Sequence, residues 1–167
     1  NSLDERLIAS LFEQDAKIDL FGVGENLITA KSDPVFGGVY KLVAIEKNGK
    51  IIPKIKISEN VIKVTNPSFK KVFRFYSNET GKALADLITL HDEKVSENEY
   101  TIFDPSNTWK KKTLTNYHIK ELQTQIFNNG KLIYTSPTLK EIAQYSKDDL
   151  NTFWEEIKRI DNPHKYF

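Results

Sequence analysis

Apolar residues at Leu3, Leu7, Ile8, Leu11 and Phe12 recur at the three- and four-residue spacing of one helix face. Ser2, with Glu5 three positions on, supplies a capping box for the start of that helix. The next segment, Ile18-Asp19-Leu20-Phe21, is short and mostly apolar, as a buried parallel strand is. It runs directly into Gly22-Val23-Gly24-Glu25, so helix, strand and glycine turn follow one another as one unit of an α/β barrel or sheet.

Near residue 38 the pattern changes to short strands. Strands are predicted over 39–45 and 51–57 around Asn48-Gly49, the strongest short hairpin signal, with Pro53 marking an edge or a bulge. A second hairpin is predicted between 71–76 and 83–90 across Asn78-Glu79-Thr80-Gly81. Alternation in its first strand puts Lys71, Phe73 and Phe75 on one face and Val72, Arg74 and Tyr76 on the other. Segments 119–127 and 131–134 flank Asn128-Asn129-Gly130, although Leu122, Ile126 and Phe127 in the first also fit a helix. Thr138 with Glu141 and Ser146 with Asp149 form two further capping boxes. Leu150, Phe153, Trp154 and Ile157 then mark an apolar face of a helix that Asn162-Pro163 stops.

Composition narrows the chemistry. The chain has 167 residues, 39% hydrophobic and 28% charged, enough for one core. It has no cysteine, which excludes disulfides, a thiol nucleophile and a Cys-based zinc site. No apolar run approaches the roughly 20 residues of a membrane helix, and a formal net charge of +1 gives no overall reason to expect nucleic acid or an anionic membrane as partner. His91, His118 and His164 are far apart and share no metal-ligand spacing. Two segments, 69–76 and 109–112, mix cations with aromatics, as a strand face for single-stranded nucleic acid can, but the first reads better as a half-buried strand with solvated cations.

The candidate site is the glycine turn. Gly22 and Gly24 let a backbone turn sharply and bring N–H groups up to an anion, and a helix starting after Gly24 would add its dipole. The pattern is too short for a dinucleotide fingerprint or a P-loop, so the alternative on spacing alone is a tight strand exit. Lys31 and Lys41 follow closely, and each reads either as a cation for a bound phosphate or as a solvated lysine.

A longer pattern surrounds that turn. Phe21-Gly22-Val23-Gly24 continues through Leu27-Ile28-Thr29 and Asp33-Pro34 to Gly37-Gly38-Val39-Tyr40-Lys41-Leu42-Val43. Further on stand Lys56-Ile57-Ser58, Lys63-Val64-Thr65-Asn66-Pro67, Lys70-Lys71-Val72-Phe73-Arg74, Gly81-Lys82-Ala83-Leu84-Ala85-Asp86, Asn129-Gly130-Lys131-Leu132 and Asn162-Pro163-His164-Lys165-Tyr166. In this order the segments resemble the C-terminal portion of bacterial nicotinate phosphoribosyltransferases, over essentially the whole chain.

The resemblance implies a mixed α/β fold. Residues 1–37 would be the last helix-strand unit of the catalytic phosphoribosyltransferase-type α/β barrel, carrying the phosphate turn, and 38–167 a C-terminal α/β domain of antiparallel hairpins and terminal helices. An N-terminal domain, most of the barrel, the histidine phosphorylated from ATP and the arginines for nicotinate would lie upstream, so the chain is expected to be a C-terminal fragment, inactive alone; no signal peptide is read at its start. The complete enzyme would form nicotinate mononucleotide and pyrophosphate from nicotinate and phosphoribosyl pyrophosphate. It would use Mg2+ and ATP, neither held by this fragment, and act as a cytoplasmic homodimer without nucleic-acid or membrane partners. Gly22, Gly24 and Glu25, with Lys31 and Lys41 and Lys41 slightly favoured, would hold the 5′-phosphate. The alternative is a non-catalytic structural or phosphate-binding regulatory domain. The chain departs from the family at Glu25, where threonine is expected, and at Ser68, where glycine is expected.

Overall fold

The computed structural model describes residues 2–35, 37–60 and 63–167. The chain divides into two units, Asn1–Tyr40 with Ile160–Asn162 and Lys41–Arg159 with Pro163–Phe167. The first contains helix α1 (Glu5–Glu13) and the single turn α2 (Glu25–Ile28). The predicted helix at the N-terminus forms, but Asp4 rather than Ser2 caps it: its carboxylate accepts from the Leu7 amide at 2.8 Å. Ser2 has φ 56°, outside the extended conformation that a cap adopts. The strand expected at 18–21 is not present; these residues join no ladder among the described residues, and Leu20 is 87% exposed. Three hydrophobic side chains do not make a strand without neighbours to accept its hydrogen bonds.

The second unit is built from antiparallel strands. β1 (Ala44–Lys47) and β2 (Lys50–Pro53) form the Asn-Gly hairpin, with Asn48 at φ 53° and Gly49 at φ 71°, as a type I′ turn requires. The strands are shorter than predicted. One further bond, from the Lys54 amide to the Val43 carbonyl at 2.8 Å, follows Pro53, which has no N–H of its own to give. β3 (Lys70–Ser77) pairs with β4 (Ala83–Leu90) across the predicted turn and with β7 (Tyr117–Glu121) on its other side, giving the order β4-β3-β7. β5 (Glu99–Asp104) and β6 (Asn107–Thr115) form a hairpin that the apolar pattern does not reveal, because most of β6 is polar and exposed. The predicted 119–127 segment is split: its start belongs to β7, and β8 (Phe127–Asn128) pairs with β9 (Lys131–Leu132) across Asn129 and Gly130, both at positive φ.

The core forms where β5 and β6 meet the three-stranded sheet. Phe75, Ala85, Ile102, Leu114 and Tyr117 are buried together, and the Phe75 and Tyr117 rings meet edge to face at 4.7 Å. Tyr117 buries its ring and donates its hydroxyl to the Ser96 carbonyl at 2.6 Å, so the buried polar end is satisfied.

α3 (Leu139–Asn151) starts with the predicted Thr138–Glu141 capping box. The second box is not realised. Ser146 lies inside α3, the helix ends before Phe153, Trp154 and Ile157, and these do not share a helical face with Leu150. Competing contacts end it: Lys82 Nζ donates to the Asn151 and Phe153 carbonyls at 2.7 and 3.2 Å, and the Ala83 amide to the Thr152 carbonyl at 2.8 Å.

Ser68 stands at φ 78°, in the left-handed region that favours glycine. The Lys70 ammonium holds this loop by donating to the carbonyls of Asn66, Pro67 and Ser68 at 2.6, 3.1 and 2.6 Å. Burial lowers the basicity of that ammonium. Ser68→Gly is expected to raise the unfolding free energy by about 0.5–1 kcal/mol, the left-handed cost less the entropy glycine adds to the unfolded chain, read from urea titration.

Candidate functional site

Gly24 caps α2 with φ −101° and ψ −112°, and its carbonyl accepts from the amides of Leu27 and Ile28 at 3.1 and 3.2 Å. The amides of Gly24, Glu25 and Asn26 donate to no partner among the described residues, so three N–H groups stand free at the start of the turn. Two contacts set its place within the first unit. Asn26 Nδ2 donates to the carbonyls of Ser2 and Leu3 at 3.2 and 3.0 Å, and the Phe21 ring meets Phe12 edge to face at 5.6 Å. Neither glycine has positive φ, and a Cβ at Gly22 or Gly24 would meet nothing within 4 Å, but the φ −101° and ψ −112° of Gly24 lie outside the regions open to residues with a Cβ. What they leave is open space beside free amides.

Gly22, Gly24, Glu25 and Lys31 all lie in this unit. Glu25 is exposed at the first helical position, and Lys31 is exposed, its backbone amide bonded to the Asn26 carbonyl at 3.2 Å. Lys41, also exposed, begins the second unit. Among the described residues no three His, Asp or Glu side chains converge to hold a metal ion. No helix is long and apolar enough to cross a membrane among the described residues.

The most organised polar cluster lies in the second unit, at a residue read from sequence as a solvated cation. The Arg74 side chain is only 12% exposed. Its Nε and Nη2 bind Asp86 in a two-point pairing at 2.7 and 2.9 Å, and its Nη1 reaches Asp149 at 3.1 Å. Phe153 lies under the guanidinium at 4.8 Å, and the Tyr166 hydroxyl donates to Asp86 at 3.0 Å. Donating to the Asp86 carboxylate raises the Arg74 pKa above its already high value. Burial, then the negative charge and hydrogen bond of Asp86, pushes the Tyr166 hydroxyl up, so it stays a donor. Nearby, Lys165 bonds Asp104 at 2.9 Å; that bond, with help from the Ser106 amide, holds the Asp104 carboxyl down at about 2.

Residues 69–167 match the family model described as the nicotinate phosphoribosyltransferase C-terminal domain. The chain belongs to the nicotinate phosphoribosyltransferase family. The Bacillus subtilis protein named nicotinate phosphoribosyltransferase is 44% identical over 99% of this chain and 34% of its own length. The human protein of the same name is 28% identical over 99% of the chain and 30% of its own length. The fold is shared with the crystal structure of human nicotinic acid phosphoribosyltransferase, at a TM-score of 0.68 and 24% identity, covering 99% of this chain and 29% of that one. The chain therefore spans about a third of the length of these relatives. Within the family-model match lie Arg74, Asp86, Asp149 and Tyr166; the glycine turn, Lys31 and Lys41 precede it.

Arg74→Leu leaves two carboxylates facing each other without a cation. It should lower stability by about 2–3 kcal/mol, less than for a fully buried pair because Asp86 and Asp149 keep 32% and 28% of their side-chain exposure. Urea titration of the variant against wild type measures this. For Asp104 the folded pKa of about 2 lies below the ordinary 3.8. Its contribution is therefore complete above pH 4 and disappears as pH falls from about 4 to about 2. Lys165→Met should remove part of the stability difference between pH 5 and pH 2, seen as a smaller change in melting temperature than in wild type.

Proposed function

We propose that this chain is the C-terminal part of an enzyme that joins nicotinate to the ribose of phosphoribosyl pyrophosphate, releasing pyrophosphate and forming nicotinate mononucleotide in NAD biosynthesis, with coupled ATP hydrolysis. The observation that carries the reading is 44% identity along the whole chain to a protein named for that activity. In this reading the free amides of Gly24 and Glu25 hold the 5′-phosphate, Gly22 leaves room for it, and Lys31 adds positive charge. Holding a phosphate remote from the bond being broken places the anomeric carbon for displacement, so binding energy goes into orientation. Because α2 is a single turn, the free N–H groups contribute more than an extended helix dipole. Glu25 works through its backbone, its carboxylate turned to solvent. The nicotinate-binding groups and the phosphorylated histidine belong to the part of the enzyme outside this chain.

The apolar surface of the first unit supports the same reading. Neither α1 nor α2 buries a residue fully, and Leu20, Leu27 and Ile28 are 87%, 68% and 85% exposed. Such a surface is what a segment that packs against further barrel units would carry.

Two outcomes test the proposal. The purified 167-residue chain should form no nicotinate mononucleotide; measurable product would place the complete site within it. In the full-length enzyme, Gly24→Val should lower kcat/KM for phosphoribosyl pyrophosphate by roughly 10–100-fold, the worth of one charge-assisted hydrogen bond. The added Cβ meets open space but must take the Gly24 backbone angles of φ −101° and ψ −112°, so a small fall in melting temperature is expected beside the loss of activity. An unchanged kcat/KM would remove the turn from the site and leave a structural domain.

A further inference from the structure

In the second unit a groove of about 660 Å³ opens between β4, the β5–β6 hairpin and the tail at 165–167. Leu87, Ile88, Ile102 and Phe103 give it apolar walls, and its volume falls in the range of small-molecule sites. The charges along it separate into paired and unpaired. Asp86 is neutralised by Arg74, and Asp104 by Lys165. Lys110 has no carboxylate partner among the described residues; its ammonium lies 5.2 Å from the Trp109 ring centre. Glu93 has no cation partner among them, yet its carboxylate is fixed by the Leu90 amide at 3.2 Å and the Tyr100 hydroxyl at 3.1 Å.

An apolar groove with one uncompensated cation and one fixed, uncompensated carboxylate complements a ligand that carries both charges on a flat apolar body. A simple anion would satisfy Lys110 but bring a like charge into the groove that Glu93 lines; a simple cation would do the reverse. We propose that this groove binds a small aromatic zwitterion, with Lys110 taking its carboxylate, Glu93 its cationic centre and the apolar walls its ring. An aromatic amino acid and a pyridinium carboxylate share that chemistry. The inference concerns the second unit alone and does not depend on the phosphate turn.

Isothermal titration of the 167-residue chain with L-tyrosine and, separately, with N-methylnicotinate tests it; neither probe carries a phosphate. The expected result is saturable one-to-one binding of at least one of them, weakened about tenfold by Lys110→Gln and by Glu93→Gln. Lys111→Gln, outside the groove, should leave it unchanged, and benzoate, an anion without the cation, should bind more weakly. The arm that saturates identifies which source fits. Absence of saturable heat with both zwitterions on chain whose circular dichroism shows it folded would overturn the proposal. So would equal binding of benzoate, or binding that neither groove variant weakens.

Discussion

A guanidinium that is almost out of water must be neutralised where it stands, and Arg74 meets that requirement by drawing three distant parts of the chain to one point. Asp86 comes from the neighbouring strand, Asp149 from α3, and Tyr166 and Phe153 from the segments beyond it. The planar fork of arginine makes this possible, since two of its edges bind carboxylates while its face rests on a ring. Lys82 and the Ala83 amide seize the end of α3 a few residues away, and the Asp86 amide donates to the Phe167 carbonyl at 3.1 Å. The outer edge of β4 is thus occupied by backbone from α3's end and from the tail, which blunts an edge that would otherwise be open.

The two units are held by different means. In the second, buried aromatics and a closed ionic cluster specify the arrangement. The first depends on one asparagine, one aromatic pair and an exposed ion pair between Arg6 and Asp161, the last worth little in water. Such a unit leaves amides and apolar side chains unsatisfied. In the proposed enzyme both would become interfaces, the amides for a phosphate and the apolar residues for further parts of the enzyme.

Much of this was legible where the signal is local. Asn48-Gly49 and Asn129-Gly130 announce their hairpins because few residues other than Asn and Gly accept two positive φ angles, and Thr138 with Glu141 announces α3 because both partners of the cap lie within four residues. The β3–β4 pairing even places Arg74 opposite Asp86. What sequence could not supply was the third and fourth members of that cluster, 75 and 80 or more residues distant in the chain, and without them Arg74 reads as an ordinary surface cation. The glycine turn is legible only in part: its glycines announce a sharp turn, and Gly24 takes backbone angles that suit glycine, but the empty space beside them and the free amides appear only in the structure.

Hydrogen exchange on the full-length enzyme with and without phosphoribosyl pyrophosphate tests the central claim most directly. The account predicts that the ligand slows exchange at the amides of Gly24 and Glu25, which have no partner among the described residues of the chain alone. The amides of the β3–β4 ladder should keep their rates. Unchanged exchange at Gly24 and Glu25 in enzyme saturated with the ligand would contradict it.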